Sequence, residues 1–174
     1  MICVTSKPAS SAPAVTIRLL AADDWAELRA ARLAALAEAP YAFGSTLTRE
    51  QEFTEETWRS RAGRGTTFGA WRGATIVGLA TGMPPEPGRP EWHLVGMWVS
   101  PDVRGQGVAE SLVEAVCGQA GRAGVDAITL WVTEVNGRAR TFYRRRGFAS
   151  TGRRQLVRPE EPDHWEEELA RRLR

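Results

Sequence analysis

Apolar residues along this chain fall first at strand spacing and then at helix spacing, and the alternation recurs to its end. Residues 15–20 read as a short strand. Asp23 or Asp24 can then cap a helix in which Trp25, Leu28, Ala31 or Arg32, Ala35 and Leu36 share a face until Pro40 stops it. The aromatic and polar stretch 41–61 predicts a second helix from about Thr54, capped by that threonine and carrying Trp58. Residues 67–71 and 75–81 flank Arg72-Gly73-Ala74, the pattern of a β-hairpin. A proline-rich loop over 83–90 leads into the longest strand candidate, 92–99, which Pro101 ends because proline cannot continue a ladder.

The second half is more regular. From Gly107 on, Val108, Leu112, Val113, Val116, Cys117 and Ala120 occupy one helical face, and Gly121 and Gly124 punctuate its end. Residues 127–132 are continuously apolar, as in a strand buried on both faces, so strand, helix and strand form a βαβ unit with a parallel pair. Residues 137–146 predict a helix stopped by Gly147, with Phe148 opening another strand. The last segment carries two signals: Asp163 followed by Glu166 is a capping-box spacing, while Trp165, Glu167 and Leu169 alternate as in a strand. Residues 1–14, rich in Ser, Pro and Ala without periodicity, predict a disordered leader, and 15–174 a single domain.

Composition narrows the function more than the fold. With 174 residues, 43% of them hydrophobic, the chain can build one core and has no room for a second full domain. A net charge of +2 is too near neutral for a general nucleic-acid or membrane-surface binder, although 11 Arg against 6 acids make residues 138–174 the basic end. Lys7 is the one lysine among 23 basic residues, a skew that coding bias explains as well as selection for forked anion binders does. Cys3 and Cys117 make neither a disulfide framework nor a metal spacing, and two histidines, His93 and His164, do not make a zinc site, so no metal is expected. Without a signal-peptide pattern or an apolar run of membrane-spanning length, the expectation is a soluble cytoplasmic protein.

The chemistry concentrates in Met97-Trp98-Val99-Ser100-Pro101-Asp102-Val103-Arg104-Gly105-Gln106-Gly107-Val108-Ala109, which runs from a strand through a glycine turn into a helix N-terminus. Glycines let a backbone approach an anion, and the first helical amides and the positive dipole end point at it, with Arg104 adding a charge. No Gly-Lys-Ser or Gly-Lys-Thr follows, which excludes a P-loop, and Glu110 at the third glycine position breaks the dinucleotide fingerprint. On glycines alone, a plain strand-to-helix turn with an exposed arginine remains an alternative. A second cluster follows: Asn136, Ala139, Phe142, Tyr143, Gly147 and Phe148 form N-x-x-A-x-x-F-Y-x-x-x-G-F.

Together the two segments resemble the GNAT acetyltransferase superfamily, marked by V-x-P-x-x-[RQ]-x-x-G-x-[GA] and, some thirty residues later, by an Asn and an F-Y-x-x-x-G-F helix. The motifs span about residues 92–148, and the order of elements extends a weaker likeness over the chain after Val15. The resemblance implies an α/β fold of GNAT type: a mixed, mostly antiparallel twisted sheet whose central parallel pair is splayed for acetyl-CoA, with helices on both faces. It implies that Met97, Trp98 and Val99 lie on the splayed strand and bond pantetheine. Arg104, Gly105, Gln106, Gly107, Val108 and Ala109 would hold the pyrophosphate, with the Arg104 side chain beside it. Asn136 would contact the cofactor arm, an amide near Val99 would polarise the thioester carbonyl, and Tyr143 would protonate the departing thiolate. The bland reading of Tyr143 is a core aromatic beside Phe142.

The resemblance does not supply the general base, because Trp131 stands where many relatives have a glutamate. Glu91 and His93 share the parity of Met97 and Val99, and so are the candidates to face the acceptor, although either also reads as a surface residue at the strand's start; Glu134, beside Asn136, is a weaker third. Acceptor specificity is implied for residues 41–58 and 153–163. There Tyr41, Phe43 and Trp58 can make an apolar wall, and Glu50, Glu52, Glu55 and Glu56 either attract a cationic amine or form a solvated helix face. The resemblance favours a strand near residues 165–169 over the capping-box helix, and homodimers are frequent in the superfamily. The activity implied is acetyl transfer from acetyl-CoA to a small-molecule or peptide amine, without a covalent enzyme intermediate. A non-catalytic acyl-CoA-binding or sensing module is the alternative, and nucleic-acid binding through Arg144, Arg145 and Arg146 is not expected.

Overall fold

A computed structural model describes residues 14–87 and 90–174, so all but the last residue of the expected leader lies outside the described residues. Seven strands, β1 (Thr16–Leu19), β2 (Thr67–Arg72), β3 (Thr75–Met83), β4 (Trp92–Val99), β5 (Ala127–Thr133), β6 (Ala149–Leu156) and β7 (Trp165–Arg172), form one sheet in the order β1-β2-β3-β4-β5-β7-β6. Every neighbouring pair is antiparallel except β4 and β5. The helices are α1 (Trp25–Glu38), α2 (Leu47–Gln51), α3 (Glu55–Ala62), α4 (Val108–Arg122) and α5 (Gly137–Arg145). This is the mixed, mostly antiparallel sheet with one parallel pair that the motifs implied.

Two cores sit on opposite faces of the sheet. On one, α4 buries Val108, Leu112, Val113, Val116, Cys117 and Ala120 against Phe68, Ala80, Trp92, Leu94, Ile128 and Leu130, the helical face expected from the sequence. Burial pushes the Cys117 thiol up to about 11, so it stays protonated at neutral pH and acts as a small apolar side chain. On the other face, Leu28, Ala31, Ala35 and Leu36 of α1 and Trp58 and Ala62 of α3 pack on Trp71, Leu79 and Trp98. The close seat of α4 depends on β3 having almost no side chains beneath it. A Cβ at Gly78 would stand 3.0 Å from Leu112 Cδ1, and one at Gly82 would stand 2.7 Å from the Trp92 ring and 2.9 Å from Val116 Cγ1.

Local signals mark several boundaries. Thr54 Oγ1 accepts from the Thr57 amide at 3.3 Å and caps α3 as expected, and Thr46 caps the short α2, which the pattern did not predict, in the same way. Ahead of α1 a single 3₁₀ turn over Ala22–Asp24 intervenes; the Asp24 carboxylate accepts from the Ala21 amide at 2.8 Å and pairs with Arg18 at 2.8 Å. The hairpin turns on Gly73, whose φ of +63° suits glycine at the first position of a two-residue loop. The C-terminal segment is a strand: β7 pairs with both β5 and β6, and Leu169 is fully buried between them. Two ladders and a buried leucine outweigh the local capping-box preference of Asp163 and Glu166.

Because the Gly82 contacts are with a ring wedged in the core, Gly82→Ala is expected to destabilise the protein by about 1–3 kcal/mol. Gly121→Ala, in α4 with open space at the Cβ position, is expected to stabilise it by about 0.5–1 kcal/mol. Urea-unfolding midpoints that move in the same direction for both variants would contradict this packing.

Candidate active site

The site begins where a ladder stops. β4 and β5 pair only at Trp92 with Ile128, His93 with Thr129 and Leu94 with Leu130, although both strands continue. β4 stays bonded to β3 on its other side, but there the register slips by one residue between the Thr81–Val95 and Leu79–Trp98 pairs. The extra residue is at Gly96, whose φ is +63°. A bulge of this kind bends the strand and reverses which face each later side chain takes. β4 therefore turns away from β5, and a cleft opens between Met97, Trp98 and Val99 on one side and the start of α5 on the other.

The cleft has a volume of about 750 Å³, and the glycine turn closes one end. Gly105 and Gly107 have φ of +79° and +80°, a region strained for other residues, and nothing lies within 4 Å of where their side chains would be. Gly107 is the N-cap of α4 and offers no side-chain cap. The first helical bond runs from Ser111 N to Gly107 O at 3.1 Å, so the amides of Val108, Ala109 and Glu110 have no intrahelical acceptors. Buried Val103 pins the turn, and Asp102 accepts from the Ser100 hydroxyl and Arg72. Arg138, Arg145 and Arg146 line the same cleft, Arg146 lying 3.7 Å from Glu110. An open backbone cradle with guanidinium groups in the same cleft lining fits the phosphates of a coenzyme A thioester.

Arg104 does not point its guanidinium freely into the cradle. Its Nε donates to the Val99 carbonyl at 2.9 Å and its Nη2 to Glu38 at 2.7 Å, and Trp98 Nε1 donates to the same carboxylate oxygen at 3.1 Å. Arg104 holds the Glu38 carboxyl below the usual range against the opposing effect of burial, helped by Trp98 and the nearby charge of Arg138. Thus Arg104 braces the end of β4 and the C-terminus of α1, a role the sequence did not suggest. Asn136 caps α5, its Oδ1 accepting from the Ala139 amide at 3.0 Å, and lines the cleft. Tyr143 lines the cleft while its ring is buried edge-on between Phe142 and Phe148, with centroids 5.2 and 5.6 Å away. Burial raises its phenol well above the ordinary tyrosine value, so it is protonated at any working pH.

A second cavity of about 440 Å³ lies beyond Gly96 and meets the first at Ala42 and Phe43. His93 lines it and shares a 2.8 Å hydrogen bond between Nδ1 and Thr129 Oγ1. Contrary to strand parity, His93 and Glu91 do not share a face with Met97 and Val99, because the bulge at Gly96 lies between them: Met97 and Val99 join the α4 core, and Trp98 the other. Glu91 is half-buried just ahead of β4 and lines neither cavity. Glu134 is paired with Arg154 at 2.6 Å.

Phe43 and Trp58 line the second cavity, whereas Tyr41 is 46% exposed and lines the first. None of Glu50, Glu52, Glu55 and Glu56 lines either cavity. Glu50 is 1% exposed and neutralised by Arg32 at 2.8 Å and Arg61 at 3.0 Å, and Glu55 pairs with Arg59. Arg32, Arg61 and Arg64 line the cavity instead, and from β7 comes Glu166, whose carboxyl is raised by burial against the pull of Gln155 and His164. None of these four was named from sequence as a site residue, although a charge at Arg32, four residues after Leu28 on an apolar stripe, was a signal.

Residues 30–148 match the sequence model of the Acetyltransferase (GNAT) family. The chain belongs to that family. No curated protein matches it significantly. Among solved structures it is similar to a GCN5-related N-acetyltransferase from Kribbella flavida, at 24% identity and a TM-score of 0.71, over 91% of this chain and 97% of that one. It is also similar to the ribosomal-protein-S18-alanine N-acetyltransferase of Escherichia coli, at 18% identity and 0.67, over 92% and 94%. A third is the PaiA N-acetyltransferase of Thermoplasma acidophilum, in complex with coenzyme A, at 13% identity and 0.64, over 91% and 99%. At these identities the likeness is one of fold. The GNAT family match makes the chain an acyltransferase.

Within this GNAT domain the Glu50 cluster is a test of the electrostatics. Burial alone would raise the Glu50 carboxyl, but hydrogen bonds and charge from Arg32, with Ser45 and Arg61, bring it below its ordinary value. Its contribution is present above the unfolded value, about 4.3, and is lost as pH falls through the lower folded one. Glu50→Gln is therefore expected to cost about 1–3 kcal/mol at neutral pH, with the deficit closing as pH falls below about 4. A deficit that is constant over that range in thermal unfolding would contradict the assignment.

Proposed function

We propose that this GNAT domain transfers the acetyl group of acetyl-CoA to a primary amine by direct attack within a ternary complex. The observation that carries the reading is the coincidence of three features at one place: the β4–β5 ladder ends, the glycine cradle faces the gap, and Tyr143 lines its far wall. In this reading the amides of residues 105–110 hold the pyrophosphate, and the β4 edge from Met97 to Val99 bonds the pantetheine arm as an added strand would. An amide near Val99 polarises the thioester carbonyl, and one such donor aimed at the developing oxyanion is worth about 3–4 kcal/mol.

The acceptor enters from the second cavity. Its nitrogen must be neutral to attack, and His93, oriented by Thr129, is the base this reading assigns in preference to Glu91, which lines neither cavity. As the C–S bond breaks, the nitrogen proton passes to His93 and the thiolate leaves with a hydrogen bond from the Tyr143 phenol, to be protonated from solvent. A phenol raised by burial is a weaker acid than an ordinary thiol, which titrates near about 8.5, so Tyr143 acts mainly by stabilising the leaving thiolate.

Release of coenzyme A thiol in the presence of an amine panel tests this. Tyr143→Phe should lower kcat by about 100-fold, the low end for acid catalysis, and leave acetyl-CoA affinity within about twofold of the original. Gly107→Glu, which puts a side chain and a negative charge into the cradle, should abolish binding. Tight acetyl-CoA binding with no turnover of any amine would overturn the enzyme reading and favour the binding-module alternative.

A further inference from the structure

The second cavity has a chemical bias of its own. Along the wall built by α1, α3 and the segment after it stand three guanidinium groups, Arg32, Arg61 and Arg64. Among the described residues the only carboxylate within 4.0 Å of any of them is that of Glu50, which serves Arg32 and Arg61 together, so three positive charges meet one negative. Arg32 spends Nε and Nη2 on Glu50, at 3.1 and 2.8 Å. Its remaining nitrogen, Nη1, reaches the bulge, 3.9 Å from where a Cβ on Gly96 would be. Arg32 stacks on Phe43 at 4.6 Å and Arg61 on Phe53 at 4.5 Å, which fixes the two guanidinium planes before any ligand arrives.

A second and independent observation concerns the neutral groups. Trp58, 1% exposed, and Trp131 both line this cavity, and each has a buried indole N–H with no acceptor among the described residues; the buried Thr66 hydroxyl, in the same lining, also has no partner. Indole N–H and guanidinium groups are donors only. Buried donors are normally satisfied, so this lining has unmet donor capacity beside an excess of positive charge, and guanidinium groups are complementary to an anionic acceptor group. The one acid in the lining, Glu166, comes from the wall formed by β5 and β7, where it would repel an anion and favour an ammonium group. The cavity is thus polarised from cationic at the helices to anionic at β7.

We infer that the acceptor is a small amine that itself carries a carboxylate, of the amino-acid class, held by Arg32, Arg61 and Arg64 at its anionic end with its nitrogen on the sheet side. This rests on the acetyltransferase reading and goes beyond it by selecting among acceptors: polyamines and amines without an acid group lack the group these donors require. A site built to bond a charged oxygen rejects the analogue that lacks it, because its donors are then left unpaired.

The experiment compares free amino acids with their amides and with polyamines as acceptors for the full chain. At least one amino acid should show a kcat/KM about 10- to 100-fold above that of its own amide, the scale of hydrogen bonds to a charged group. Arg64→Ala, which breaks no ion pair found among the described residues, should close most of that gap, whereas Arg59→Ala, on the exposed side of α3, should leave it open. Amides or polyamines used as well as acids, no amino acid used at all, or a gap that Arg64→Ala leaves intact would each overturn the inference. Calorimetric titration with acetyl-CoA separates the two levels: acetyl-CoA bound and amides preferred removes this inference alone, while no binding removes the acetyltransferase reading with it.

Discussion

Everything at the candidate site follows from the point at which two parallel strands stop sharing hydrogen bonds. Strands can pair only while their backbones stay about 4.8 Å apart, and one extra residue in β4 makes that impossible beyond Leu94 and Leu130. A strand edge left unpaired inside a sheet has amides and carbonyls in need of partners. Part of the need is met internally, by Arg104 at the Val99 carbonyl, and the remainder faces a cleft. The same bulge separates the two cavities: Met97 and Val99 turn to the α4 side and His93 remains with the other cavity, so in the proposed reaction the acetyl group and acceptor would meet across Gly96.

A bulge alone would give a loose opening, and the surrounding packing makes it a defined one. α4 is anchored by six buried side chains on a bed of Gly78, Ala80 and Gly82, so its N-terminus and the glycine turn before it are held in place by the core. On the opposite face the Glu38 carboxylate ties Trp98 and Arg104 to the end of α1, and Glu50 ties α1 to α3 through Arg32 and Arg61. The walls of both cavities are therefore fixed by charge pairs: Glu38 and Arg104 both line the first, and Arg32 and Arg61 line the second with Glu50 outside the lining. Glu38 and Arg104 are partly exposed, and water screens their pair; Glu50 is buried, and its pairing weighs more.

The sequence was most legible where one physical rule governed. The helical face of α4, the continuous apolar run of β5 and the glycine turn each reflect burial or backbone conformation at neighbouring positions, and each lies where the pattern put it. Legibility failed where the outcome depended on distant partners. Glu50 looks like part of an acidic surface until Arg32, 18 residues away, and Arg61, 11 residues away, fold over it. Glu166 looks like a helix cap until β7 pairs with strands on both sides. The parity of Glu91 and His93 was read on an unbroken strand, although a glycine inside a strand is itself a mark of a bulge.

The central claim is that the gap between β4 and β5, with the glycine turn, receives a coenzyme A thioester. Backbone amide exchange with and without acetyl-CoA addresses it directly, since the contacts proposed are to backbone N–H groups. Slowed exchange concentrated at residues 97–99 and 105–110 is the predicted result. Protection confined to other segments, with those two unchanged, would contradict the account.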